Sequence, residues 1–346
     1  HFNRNNAWFN FSRSWMDYQA RIQNVMRKGQ MHADILYYAG DQLPQFMDGI
    51  KVNTPPVGYH VHICNADILK NKLQSKDGKL VFGDIRFSLL TLPENMGMEL
   101  STLKRIAELL QSGITVFGPK PTRLLSMKGI RNDQAMFDDL VNKVWGNVDG
   151  SAVTENTYGK GKVFWGMSME TVLGTIGLKP DFATDQNDTT TFLFNHRISG
   201  DKDIYFVFNQ KDAAEQRTLF FRTNKKSAKL YDPAYGIITE VAITNDSDGR
   251  ISMPFTFGPR QSMIFVFDKE DAGVLPVTKQ DEKVTINDIK CNLAFDTRGF
   301  GKIEPVEITE LKPLSLFEQK DIKYFAGYAE YKIMFAAPEK YVSAKE

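Results

Sequence analysis

Cysteine is almost absent from this 346-residue chain, which carries only Cys64 and Cys291, far apart in sequence. Neither a disulfide framework nor a paired zinc motif is possible with that count, and the usage suits a cytosolic and a bacterial periplasmic protein equally. No apolar run approaches the roughly 20 residues that a membrane helix needs, and the first residues lack the charged and apolar regions of a secretory signal. Charge of one sign is missing too. With 43 basic against 42 acidic residues, the chain has no field able to hold a phosphate backbone or an anionic bilayer, so neither nucleic acid nor a membrane is an expected partner. Even the initiating methionine is absent. The chain opens on the aromatic and amide-rich run His1-Phe2-Asn3-Arg4-Asn5-Asn6-Ala7-Trp8-Phe9, and the expectation is that it is a piece of something larger.

From Ser14 to Lys28, Trp15, Tyr18, Ile22, Val25 and Met26 recur at spacings of three and four, with Gly29 just past the end. This predicts an amphipathic helix with a glycine cap. Strand-like runs follow at Ala33–Tyr38 and Tyr59–Ile63, then a helix over Glu99–Gln111 that leads through Gly113 into Ile114–Phe117. A helix over Gln134–Trp145 and a strand over Lys162–Trp165 continue the alternation. Helices following each or nearly each strand are the grammar of a parallel α/β layer, so residues 31–178 are expected to form a flavodoxin-like α/β domain. After Pro180-Asp181 the grammar changes to short β-branched and aromatic runs at Thr190–His196, Asp203–Asn209, Gln216–Arg222 and Met263–Phe267, with a turn in Leu230–Gly236. An antiparallel β-sandwich is expected over 179–270. The charged stretch Asp268–Lys283, with Pro276, reads as a linker. Beyond it, Val284–Phe295, Ile303–Ile308 and Tyr331–Phe335 are strand-like within a last domain, 271–346.

Several groups are candidates for chemistry. His60, His62 and Cys64 fall on one face of a strand, with His32 available nearby, a donor set that suits zinc or iron but lacks a fourth ligand at a standard spacing. A strand end with no metal is the alternative. Cys64 as a nucleophile would need glycines flanking it, and Ile63 and Asn65 stand there instead. Gly118-Pro119-Lys120-Pro121 follows a strand at its carboxyl end, yet its prolines remove backbone donors and no glycine-rich cradle is present, which favours a rigid connecting loop over an anion site. Gly159-Lys160-Gly161-Lys162 reads as a hairpin turn. Glycosidic hydrolysis needs two facing carboxylates, and Asp34, Asp84, Glu94, Glu155 and Asp181 are not paired by any spacing, so none is assigned a catalytic role. The opening run differs. Trp8 offers a face for a sugar, while His1, Asn3, Arg4 and Asn6 offer hydrogen bonds to hydroxyls or a leaving group. The competing reading makes Trp8 and Phe9 core residues at a barrel rim.

The His1–Phe9 run, the helix with Tyr18 and Arg21, Ala33-Asp34-Ile35, Gly58-Tyr59, Gly118-Pro119-Lys120-Pro121, Pro180-Asp181-Phe182, His196-Arg197, Tyr231-Asp232-Pro233 and Tyr324-Phe325-Ala326-Gly327-Tyr328-Ala329 occur in this order. Together they resemble the carboxyl-terminal half of glycoside hydrolase family 106, the α-L-rhamnosidases that degrade plant polysaccharides. The resemblance implies a TIM-like barrel followed by an α/β domain, a β-sandwich and a jelly-roll module similar to galactose-binding domains. Residues 1–30 would then be the last loop and helix of the barrel, where active-site residues gather, and 271–346 a partial jelly-roll. The family's inverting pair of glutamates and its calcium site are expected upstream of His1, with no cofactor in this segment. An oligosaccharide or polysaccharide substrate, the upstream catalytic barrel as partner, and export to the periplasm or the medium are implied in the same way. The chain departs from the family at Ala7 and Phe9, at His60 and His62, where the family has aspartates, and at Ala326 and Tyr328. The rival expectation is a non-catalytic carbohydrate-binding or scaffold protein, and a third is a stand-alone α/β enzyme using His60, His62 and Cys64.

Overall fold

The computed structural model describes residues 6, 8–42, 54–94, 97–125, 130–186, 191–269, 286, 289–299 and 301–337. The chain forms two compact units, one of Ala20–Leu275 and one of His1–Gln19 with Pro276–Glu346.

In the larger unit the first layer is a six-stranded sheet. Its strands are β1 (Ile35–Tyr38), β2 (Val61–Cys64), β3 (Leu89–Thr91), β4 (Thr115–Phe117), β5 (Glu155–Tyr158) and β6 (Gly161–Phe164), in the spatial order β5-β6-β4-β3-β1-β2. All neighbours are parallel except the β5–β6 hairpin. Because side chains alternate across a strand, Leu36, Leu90, Val116 and Val163 point to one face, where α2 (Leu100–Gln111) and α3 (Ile130–Trp145) cover them. The adjacent residues Ile35, Leu89, Phe117 and Phe164 point to the other, against Met169, Val172 and Leu173 of α4 (Met169–Thr175). At the centre of the sheet both faces are buried, which is why β1 and β3 are buried along their whole length, while the edge hairpin strand β5 alternates between exposed and half-buried residues. The α2 stripe Leu103, Ile106, Ala107 and Leu110 has helical spacing. Its first turn is capped from a distance: Asp41 accepts from the Glu99 amide at 3.0 Å and from Thr102 Oγ1 at 2.8 Å.

One strand of this layer lacks a following helix, as an alternation after each or nearly each strand allows. No α-helix follows β2. A five-residue π-helix, Ile68–Lys72, leads into a three-stranded antiparallel meander of Gln74–Lys76, Lys79–Phe82 and Ile85–Phe87. The reason is local: Asp77 and Gly78 both take positive φ (53° and 71°), the conformation of a two-residue hairpin turn.

The β layer contains β7 (Phe182–Thr184), β8 (Phe192–Ser199), β9 (Lys202–Asn209), β10 (Glu215–Phe221), β11 (Ser227–Asp232), β12 (Ile237–Val241), β13 (Thr244–Asn245), β14 (Ile251–Phe257) and β15 (Ser262–Asp268). They make two antiparallel sheets, Gln30–Met31 with β8-β9-β15-β11-β12, and β7-β10-β14-β13. Tyr205, Phe221, Phe257, Phe265 and Phe267 fill the core they share, with Phe221 and Phe267 ring centroids 4.9 Å apart. Pro254 is tolerated in β14 because β13 pairs only with Ile251 and Ser252, which leaves a single neighbour at Pro254. The opening helix α1 (Arg13–Met26) sets Val25 and Met26 against Ile204, Ile264 and Val266 on the outer face of the larger sheet.

In the smaller unit β16 (Ile289–Asp296) lies between β17 (Val306–Ile308) and β18 (Tyr328–Phe335), all antiparallel. Leu293, Phe317 and Ile322 form its core. The opening segment belongs here: Asn10 Nδ2 donates to the Tyr328 hydroxyl at 2.7 Å, and the Phe11 and Tyr328 rings are 5.2 Å apart. Most of the expected linker, residues 270–283, lies outside the described residues.

Candidate functional site

Among the described residues, a cluster of titratable groups is buried between the α/β layer and the β sheets of the larger unit. Asp34 precedes β1, Asp181 precedes β7, His196 lies on β8, Asp203 and Tyr205 on β9, and Arg222 and Thr223 just after β10. The β8–β9 register sets His196 opposite Tyr205, so their rings stack at 3.9 Å and 13°. His196 Nδ1 lies 2.9 Å from Asp181 Oδ2, and the Tyr205 hydroxyl donates to Asp181 Oδ1 at 2.8 Å. Arg222 Nη2 donates to Asp34 Oδ2 at 2.7 Å and to His32 Nε2 at 3.2 Å, and lies 3.5 Å from Asp181 Oδ1. His196 Nε2 makes no hydrogen bond but sits 3.5 Å from Asp203, which also accepts from Thr223.

Burial and pairing compete at each group. Burial alone would raise Asp181, but the His196 hydrogen bond and the surrounding positive charge hold it at about 2. Burial likewise opposes ionisation of Asp34, and His32 with Arg222 outweighs it, leaving the carboxyl below its usual range. His196 is pushed down by burial and more strongly up by Asp181 and Asp203, so its net shift is upward. The ligand atoms of His32, Asp181 and His196 lie within 4.8 Å of one another, a spacing a metal could use. Arg222 stands among them, however, and a guanidinium in that position repels a cation. With Asp181 and His196 side chains only 1% and 3% exposed, no sugar reaches them either. The arrangement is an ionic joint: it ties Asp34 of the first layer to Arg222 and Asp181 of the second.

Of the residues expected to meet a sugar, His1, Asn3 and Arg4 lie outside the described residues. Asn6 is half-buried and Trp8 is 50% exposed, just before the 3-10 turn Phe9–Phe11 in the smaller unit. His60 packs its ring on Phe194 at 4.2 Å, His62 meets Phe87 at 5.7 Å, and Cys64 is buried in the main core. Among the described residues no metal-type cluster includes these three, and His32 joins Asp181 and His196 instead. Burial pushes the Cys64 thiol up to about 12, which removes it as a nucleophile. Lys120 donates to the Gly146 carbonyl at 2.9 Å, so its loop is a connector, and Tyr158↔Gly161 pairing makes Gly159-Lys160 a hairpin turn. Glu155 pairs with Lys162 across that hairpin, and Asp84 and Glu94 are exposed. Arg222, Asp203, Tyr205 and Thr223 were not singled out by the sequence reading. The available signal was a pair of charged residues, Asp203 and Arg222, at the ends of strands otherwise rich in aromatic residues.

A doubly covered parallel sheet next to antiparallel sheets with an aromatic core is a mixed α/β architecture. The chain belongs to glycoside hydrolase family 106, described as alpha-L-rhamnosidase, whose profile matches residues 1–245. It is similar to the solved rhamnosidase of Novosphingobium sp. PP1Y, with a TM-score of 0.80 and 27% identity over 95% of this chain and 31% of that one. A protein of Formosa agariphila that carries the provisional name beta-glucuronidase is 27% identical over 273 residues, 77% of this chain and 22% of the relative. The chain therefore spans between a fifth and a third of the length of these relatives. The family expected from the ordered motifs is the family found. Asp34, Asp181 and His196 of the ionic joint come from three of those motifs.

Proposed function

We propose that this chain is the supporting, non-catalytic portion of a glycosidase that cleaves α-L-rhamnosyl linkages in polysaccharides. The observation that carries the reading is the family match over residues 1–245 together with the state of the three carboxylates the site brings together, of which Asp203 is held by Thr223 and His196. Asp34 and Asp181 are buried and held by Arg222 and His196, so neither is free to protonate a leaving group or activate water. On this reading the inverting pair of carboxylates belongs to a catalytic barrel elsewhere in the protein. His1, Asn3, Arg4, Asn6 and Trp8 would form one wall of its sugar site, with Trp8 as the stacking face. The parallel strands, taken in chain order, lie 2-1-3-4-5, the order of flavodoxin-like sheets, which supports that description of residues 31–178. The β layer over 179–270 is the accompanying sandwich and 271–346 a partial jelly-roll.

Calcium, which the family implies for the whole enzyme, takes oxygen ligands. The His32, Asp181 and His196 cluster offers two nitrogens and an adjacent guanidinium, so it does not fit that ion. The calcium site of this proposal belongs to the barrel. Periplasmic or extracellular placement follows from the polysaccharide substrate.

The test is hydrolysis of an aryl α-L-rhamnoside and an aryl β-D-glucuronide by this chain and by a longer protein that includes the barrel. Turnover of the rhamnoside by the longer protein alone is the expected result. Comparable turnover by the isolated chain would sink the non-catalytic assignment, and preference for the glucuronide would sink the substrate.

A further inference from the structure

We propose that a cavity in the smaller unit, walled by Tyr324 and by Asp296, Thr297, Arg298 and Gly301 at the end of β16, binds a neutral pyranose ring of a glycan. The cavity holds about 620 Å³ and is lined by Asp296, Arg298, Lys302, Asp321, Tyr324 and Tyr328, among others. That volume lies within the roughly 300–1,000 Å³ of small-molecule sites.

Three features separate it from a surface crevice. Tyr324 is 73% exposed although it follows directly on the short helix Lys320–Lys323, whose Ile322 is buried, so the chain is anchored while the ring, with Lys323 Nζ 5.8 Å from its centroid, stands largely exposed at the wall of the cavity. An aromatic face held this way is what the C–H face of a sugar ring packs on. Second, the cavity is pre-formed. Asp296 and Tyr328 are register partners between β16 and β18, Thr297 Oγ1 donates to the Gly301 carbonyl at 2.8 Å, and Asp296 accepts from the Arg298 amide at 3.0 Å. Arg298 takes a left-handed φ of 48°, a conformation that such side-chain-to-backbone bonds support. Its guanidinium lies 4.5 Å over the Tyr328 ring, whose hydroxyl is held by Asn10. Third, the charge is balanced. Asp296 and Asp321 accept hydrogen bonds from hydroxyls and Arg298 and Lys302 donate them, while Arg298 lies 3.6 Å from Asp296 and Lys302 2.6 Å from Glu304, so each cation already has its carboxylate, which suits a ligand rich in hydroxyls and without net charge.

The test uses the whole chain, titrated with methyl α-L-rhamnopyranoside and methyl β-D-galactopyranoside as neutral probes and methyl β-D-glucuronide as the anionic one, followed by saturation-transfer NMR and calorimetry. Saturable millimolar binding of a neutral glycoside is expected. Tyr324→Ala should weaken it about tenfold with the melting temperature unchanged, Tyr324→Phe should retain it, and Asp321→Asn should weaken it. No saturable binding of either neutral glycoside, tighter binding of the glucuronide, or undiminished affinity in Tyr324→Ala would each overturn the proposal.

Discussion

Replacing Arg222 by methionine keeps an aliphatic side chain of similar reach and removes its charge. In the native protein that charge lies 2.7 Å from Asp34 Oδ2 and 3.5 Å from Asp181 Oδ1, and the Asp34 side chain is only 4% exposed. Without Arg222, Asp34 keeps the desolvation cost of burial and loses its main cationic neighbour. Breaking a buried pair from one side costs about 3–5 kcal/mol, because it strands the remaining charge. For a domain of this size that corresponds to a fall in Tm of about 6–20 °C. Thermal and urea unfolding followed by circular dichroism measure both figures. The companion variant Asp34→Asn/Arg222→Met removes the stranded carboxylate as well, so its cost should be clearly smaller than the sum of the two single changes. A loss below about 1 kcal/mol in Arg222→Met, the worth of a solvated surface pair, would refute the idea that this arginine neutralises a buried site. Strict additivity in the double variant would refute the coupling.

Other outcomes follow from the same geometry. His196 is raised in the folded state, so its contribution is complete below the unfolded value near ~6.5 and is lost as pH rises through the higher folded value; Asp34 and Asp181 are lowered, so theirs is present above ~3.9 and is lost as pH falls. Chemical denaturation across pH should show stability declining on both sides of this window, and His196→Gln should flatten the alkaline limb. A wild-type protein that gains stability from neutral to mildly alkaline pH would contradict the assignment. Gly29 has φ +60° and a Cβ there would sit 1.9 Å from the Ile198 carbonyl oxygen, so Gly29→Ala should cost about 2 kcal/mol or more and speed amide exchange at Met31. Cys64 should resist a disulfide reagent at mildly alkaline pH until the protein unfolds, since its thiol is buried and pushed up to about 12; fast native labelling would show that the core around it opens.

What was legible in the sequence was local or ordered. The spacing of Leu103, Ile106 and Leu110 specifies a helix face, the β-branched runs specify strands, and Gly159-Lys160 a turn, because each depends on neighbours a few residues away. The meander at Gln74–Phe87 is not among the elements expected from the sequence, although its Asp77-Gly78 turn is equally local. The ordered motifs were sufficient to identify the family.

The ionic joint was not legible. Asp34 and Asp84 are the same letter, yet one is buried against an arginine 188 positions away and the other faces solvent. The His60, His62 and Cys64 alternation suggested a site, while the structure buries Cys64 and gathers His32 with Asp181 and His196, two residues that no spacing links to it. By itself the sequence determined where elements form and which family they build, because propensity and periodicity act over single turns and strands. Only the tertiary structure decided which carboxylates lose their water and which cations pay for that loss, because desolvation and charge pairing depend on groups the fold brings together from distant parts of the chain.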